Sequence, residues 1–204
     1  VSEKVSNFIR QYGLQRSGTC YTQFLFEQNF DVKVLNREPD KHTPLGAPPH
    51  VPSVLSVKHP FSWAVSIFKY YKKQSKDVAK FKSFCISAAI PLWNRRMAQF
   101  LAMKLGDQTL AIIRAEDLLD NSKKVIGKAA KEFGLTRTSK KWITSNKIMR
   151  PIHGGEESAR KFDRTKYTKK KWMEAYNKKL LKRAIQTVDQ RLMRVFGYKN
   201  TGDF

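Results

Sequence analysis

Cysteine is nearly missing from this 204-residue chain, which holds only Cys20 and Cys85. Two thiols give no disulfide framework and no metal-ligand spacing. A reducing, cytoplasmic setting is the expectation. Acidic side chains are also scarce, with 17 Asp and Glu against 40 Lys and Arg. No apolar run approaches the ~20 residues that cross a bilayer, so no membrane span is expected. No signal peptide is visible at Val1. Internal repeats and low-complexity tracts are missing too, which excludes solenoids and fibrous chains.

What is present is enough for a core. Hydrophobic residues make up 41% and aromatics 12%, too many for a disordered chain. The length fits a single domain over 1–204. The net charge of +23 favours acidic partners: nucleic acid, anionic polysaccharide or a polyanionic cosubstrate. A solvated basic face explains the same charge, and the total does not choose between them.

Apolar spacing predicts a strand over Phe8–Leu14 and a helix over Thr19–Phe30, then a short strand ending at Leu35. Residues 36–52 read as a loop, because Pro39, Pro44, Pro48, Pro49 and Pro52 forbid a regular helix. His42 and His50 lie in it. Val54–Lys58 reads as a buried strand, ended by His59-Pro60. Ser62 is expected to cap a helix whose Trp63, Tyr70 and Tyr71 enter the core. A helix fits Pro91–Leu105, a strand Thr109–Ile113, and a helix runs from Asn121-Ser122 to Gly134. Thr136–Thr168 reads as basic and irregular. Trp172, Tyr176, Leu180, Ala184, Val188, Leu192 and Phe196 recur every four residues and predict one long final helix, stopped by Gly197.

Strands alternating with helices imply an α/β fold, a single domain with a central parallel sheet flanked by helices. Ligands of such sheets sit at the carboxyl ends of the strands. Arg16, Lys58 and Glu116 all fall there. Glu116-Asp117 is read as ordering a loop rather than binding metal.

The first strand leads into Gln11-Tyr12-Gly13-Leu14-Gln15-Arg16-Ser17-Gly18-Thr19-Cys20-Tyr21-Thr22. Strand, tight Gly-containing loop and helix together cradle one phosphate with backbone N–H groups. The spacing approaches the nucleotide-triphosphate loop, whose Lys follows the second Gly. Here Thr19 stands in that place and the cation, Arg16, precedes Gly18. A triphosphate site is disfavoured and a site for one terminal phosphate survives. An ordinary turn that binds nothing is the plainer reading of the same residues.

Three segments resemble, in order, the sulfotransferases that use 3′-phosphoadenosine 5′-phosphosulfate. Gln15 to Tyr21 is similar to their 5′-phosphosulfate loop. Lys58-His59-Pro60 with Ser66 is similar to their 3′-phosphate motif, a strand-ending cation and a Ser eight residues on. Arg114-Ala115-Glu116-Asp117-Leu118 resembles their Tyr-Glu-Asp-Leu strand end, and Phe196-Gly197-Tyr198 their closing Leu-Gly-Tyr. The chain departs at Gln15 for Pro, Cys20 for Thr, Tyr21 for Trp, Lys58 for Arg and Ala115 for Tyr. Lys58 keeps the charge and loses the bidentate fork.

The resemblance implies an enzyme that moves a sulfuryl group to a hydroxyl or amine, with adenosine 3′,5′-bisphosphate as product and no metal. It implies nucleotide contacts from Arg16, Ser17, Gly18, Thr19, Cys20, Tyr21, Thr22, Lys58 and Ser66. Arg160-Lys161 is the nearest match to the family's late Arg-Lys-Gly segment. His42, in Lys41-His42-Thr43, is the expected catalytic base beside Arg16, with His50 and Glu38 as alternatives. The acceptor partner is unidentified, an acidic molecule or a saccharide being the expectation, and nucleic acid is not expected as substrate. The competing reading is a non-enzymatic nucleic-acid or polyanion binder.

Overall fold

Five consecutive buried residues, Ser53–Val57, form the strand at the heart of the sheet. Burial on both faces is what a central parallel strand requires. The computed structural model describes residues 7–35, 42, 51–71, 78–102, 109–149 and 157–199. The strands are β1 (Phe8–Gly13), β2 (Lys33–Leu35), β3 (Ser53–Val57) and β4 (Leu110–Arg114). They lie in the order β2-β1-β3-β4, and every pairing is parallel. Helices α1 (Thr19–Asn29), α2 (Pro60–Tyr71), α3 (Val78–Phe84), α4 (Ile90–Ala102), α5 (Ala115–Asp120) and α6 (Ser122–Glu132) follow the strands in chain order. A separate antiparallel hairpin joins β5 (Lys147–Met149) to β6 (Glu157–Lys161). Helices α7 (Thr165–Thr168), α8 (Lys178–Thr187) and α9 (Gln190–Val195) complete the set.

The strands alternate side chains between two apolar layers. Tyr12, Leu55 and Val57 pack on Trp63, Trp93 and Phe100 from α2 and α4, with Leu180 and Met193 from the last helices. Ile9, Val54, Ala111 and Ile113 face the other way, onto Phe26 of α1 and Ile126 of α6, with Phe133 just beyond it.

Several expectations are corrected. Helix α2 starts at Pro60, two residues before Ser62. Pro60 has no N–H to orphan and a preset φ, and the His59 ring accepts the Phe61 N–H at 3.3 Å. Helices α3 and α4 are joined by a widened turn at Cys85–Ala89. It sits just ahead of Pro91, which cannot complete a regular helical turn. Glu116 and Asp117 open α5, from which Glu116 accepts the His59 N–H. The basic stretch after Thr136 holds the β5–β6 hairpin.

The single long final helix is in fact three pieces: a 3-10 turn at Lys171–Ala175, then α8 and α9. Asn177 caps α8, and Asp189 caps α9 by accepting from Arg191 and Leu192 N–H. Asn94 bridges the break, donating to Thr187 O at 2.9 Å and accepting from Asp189 N–H at 3.0 Å. Caps and a bridging amide thus satisfy the backbone that the four-residue spacing ascribed to a continuous helix.

Candidate functional site

Gly13 closes β1 with φ +150, and a Cβ there would lie 2.6 Å from Ser56 O and 2.9 Å from Ser17 Oγ. Only glycine lets β1 and β3 approach this closely while the chain turns. The turn then folds on itself. Ser17 donates twice to Leu14 O, from its N–H at 3.0 Å and its hydroxyl at 2.6 Å. Arg16 takes φ +70, a left-handed backbone uncommon for a side-chain-bearing residue. Its guanidinium lies 5.5 Å over the Tyr70 ring. Gly18, at φ +94, is the N-cap of α1, which has no side-chain cap and no acid in its first turn. The positive end of the α1 dipole therefore keeps its field.

Two buried tryptophans fix the two strand ends. Trp63 Nε1 donates to Gln15 O at 2.7 Å, and Trp93 Nε1 donates to Lys58 O at 3.0 Å. Lys58 follows β3 and is only 5% exposed. Its ammonium donates to Ser66 Oγ at 2.7 Å, and the Ser66 hydroxyl donates to Ser62 O at 3.0 Å. The Tyr167 ring centre is 4.2 Å from Lys58 Nζ. Burial pulls the Lys58 pKa down to about 7, against the upward pull of Glu116 and with a smaller lowering from Arg16.

Glu116 is a brace. One oxygen accepts His59 N–H at 3.1 Å and the other accepts the Tyr198 hydroxyl at 3.0 Å. Burial, with that carboxylate, holds the Tyr198 phenol well above its ordinary pKa. Arg114 grips both Asp117 oxygens at 2.6 Å and donates to Gly197 O. His59 stacks on Trp172 at 5.0 Å. Burial, then Lys170, lowers its pKa to about 3. It is a neutral packing group.

These elements enclose one cleft, with about 1120 Å³ of empty space including its open mouth. Arg16, Gly18, Thr19, Cys20, Tyr21, His42 and Lys58 all line it. Ser66 joins them through Lys58. His42 Nδ1 donates to Gly13 O at 2.6 Å. A carbonyl only accepts, so the neutral ring carries its proton on Nδ1 and Nε2 is the basic nitrogen.

The other expected residues lie elsewhere. Ser17 turns its hydroxyl inward to Leu14, and Thr22 gives its own to Gly18 O at 3.2 Å. Neither side chain is among the residues that line the cleft. Lys161 is exposed on β6 and outside the lining. The Arg160 side chain, His50 and Glu38 lie outside the described residues. Tyr70 and Tyr71, expected in the core, are exposed; they end α2 on the turn that faces the Gln15-Arg16 loop.

Sequence reasoning missed the far wall. Phe162 and Tyr167 line the cleft and stack at 5.5 Å. Arg164 donates to the Tyr21 hydroxyl at 3.0 Å and to Ser145 O at 3.1 Å. Tyr21 also shares a 2.7 Å hydrogen bond with Thr144. The available signal was an aromatic-basic interleaving, Phe162 to Tyr167, directly after Arg160-Lys161. Among the described residues no group of His, Cys, Asp and Glu is arranged to hold a metal, and no helix is long and apolar enough to cross a membrane. No family model matches the chain, and no curated protein matches it.

Proposed function

We propose that the chain is a sulfotransferase that uses 3′-phosphoadenosine 5′-phosphosulfate. The observation that carries this reading is a pair of cations, Arg16 and Lys58, at the ends of adjacent strands β1 and β3, lining one cleft with His42. A nucleotide with phosphate at both the 5′ and 3′ positions calls for two separate anion holders. The residues suit it. Lys58 is a nearly buried cation whose charge an arriving phosphate would restore. Loop N–H groups at an uncapped helix start favour the other anion.

Bound there, the cosubstrate supplies an activated sulfuryl group, whose sulfur–oxygen bond to the 5′-phosphate breaks as one to the acceptor oxygen forms. Arg16 and the N–H groups that open α1 hold the 5′ end and stabilise negative charge on the departing phosphate. Lys58, oriented by Ser66, holds the 3′-phosphate. His42 Nε2 takes the acceptor's proton. Glu116, with both oxygens engaged, keeps β4 and the β3 end in register. The cytoplasm suits an enzyme whose Cys20 and Cys85 are free thiols.

Thermal unfolding with nucleotides tests the reading. Adenosine 3′,5′-bisphosphate at 100 times its dissociation constant should add about 2.7 kcal/mol by linkage, and ATP with magnesium should add little. Stabilisation by ATP–magnesium alone, by neither nucleotide, or by both alike contradicts it. The last outcome is the one a plain polyanion binder would give.

A further inference from the structure

Helix α2 leaves the core at its last turn. Phe68 is 7% exposed, Tyr70 40% and Tyr71 63%. The two tyrosine rings meet edge to face, 5.3 Å apart at 72°. They are nevertheless held in place. Tyr71 donates its hydroxyl to Gln15 Oε1 at 3.2 Å, and Arg16 covers Tyr70. Gln15, Arg16 and Tyr70 all line the cleft. An ordered aromatic corner therefore stands on the lip beside the residues assigned to the breaking bond.

The chemistry around it is one-sided. Arg16 and Lys147 line the cleft and are exposed, and Lys69, exposed too, precedes Tyr70 on α2. Among the described residues that line the cleft Glu116 is the one carboxylate, and it already accepts two hydrogen bonds. We infer that the acceptor is an acidic saccharide, with a sugar ring seated on the Tyr70–Tyr71 corner and its anionic groups on Arg16 and Lys69. The C–H face of a sugar ring is weakly positive and packs on the negative face of an aromatic ring. Its hydroxyls then remain free for Gln15 and for transfer. A small phenol would need an enclosed apolar slot, and these rings are open to water. Successive nucleic-acid bases stack on platforms arranged along a basic groove, whereas this corner offers one face to one ring.

The inference rests on the proposed transfer reaction for the fate of the hydroxyl, but its binding half is separable. There, the acceptor oxygen gains the sulfuryl group, its proton passes to His42, and adenosine 3′,5′-bisphosphate departs.

The test is calorimetric titration of the whole chain with three probes: a heparin-derived hexasaccharide, linear polyphosphate of matched charge, and an oligothymidylate. The hexasaccharide is expected to bind best. Tyr71→Ala should weaken it about three- to tenfold, the size of one ring contact, while polyphosphate binding and adenosine 3′,5′-bisphosphate affinity stay unchanged. Tyr71→Phe keeps the ring and should retain most of the affinity. Equal losses for hexasaccharide and polyphosphate would reduce the lip to simple charge and overturn the inference. Stronger, Tyr71-dependent binding of oligothymidylate would overturn it in favour of nucleic acid. Tyr71-dependent hexasaccharide binding without any nucleotide binding would keep the saccharide site and remove the transfer reaction.

Discussion

The Lys58 ammonium and the Ser66 hydroxyl, eight residues apart in sequence, meet at 2.7 Å beneath the ring of Tyr167. The arrangement places a cation at the floor of the cleft where little water reaches it. Folding bears a cost for that, and an anion would repay it.

The cost is readable in stability against pH. The Lys58 pKa is lowered from 10.5 to about 7, so the folded state binds fewer protons than the unfolded state between those values. Stability therefore rises with pH across that window, and the penalty is fully present below about pH 7. Lys58→Met is expected to melt several degrees above wild type at pH 6. The advantage should shrink as pH rises from about 7 towards 10.5, as followed by thermal unfolding across the range. A constant difference at all pH values would show that the side chain is not buried as a strained cation.

Gly13→Ala tests the loop's close approach. The added methyl meets Ser56 O, Ser17 Oγ and Thr19 Cγ2 at 2.6, 2.9 and 3.0 Å. Overpacking of this kind costs about 1–3 kcal/mol, or roughly 2–4 °C in melting temperature per kcal/mol for a chain of this size. Because Gly13 O also holds His42, turnover should fall as well. An unchanged melting temperature would contradict the geometry.

Asn94→Ala probes the break between α8 and α9, at a residue that does not line the cleft. It strips Thr187 O of a donor and Asp189 N–H of an acceptor. Leaving such groups unpaired costs about 1–3 kcal/mol. Denaturant unfolding should register this loss while nucleotide affinity holds.

His42→Asn keeps an N–H donor close to where Nδ1 meets Gly13 O but removes the basic nitrogen. Turnover with a found acceptor should drop about 10²–10⁴-fold, with little change in adenosine 3′,5′-bisphosphate affinity. Comparable turnover in the variant would move the base elsewhere.

Most of the sheet was legible in the sequence because its strands are short and apolar, and Gly13, Pro52 and Pro60 bound β1 and β3. The Gly13–Gly18 loop was legible from its glycines, whereas Lys58 and Ser66 were paired only by the resemblance, and the structure joins them by a hydrogen bond. The final helix was not. A four-residue apolar repeat continues in phase through Asn177 and Asp189, and only tertiary contact with Asn94 reveals where the backbone breaks. Tyr70 and Tyr71 misled because their spacing continues the α2 stripe after the sheet beneath it has ended. The far wall of Phe162, Arg164 and Tyr167 is brought to the cleft by the hairpin and the turn that follows, and no local period announces such a return.

The most direct measurement is calorimetric titration of wild type and Lys58→Met with adenosine 3′,5′-bisphosphate and with adenosine 5′-monophosphate. The account expects wild type to bind the bisphosphate far more tightly, with proton uptake above pH 7 as Lys58 regains its charge. It expects Lys58→Met to lose that preference while binding the monophosphate nearly as before. Equal affinity of wild type for the two nucleotides, or an equal loss for both in Lys58→Met, would contradict it.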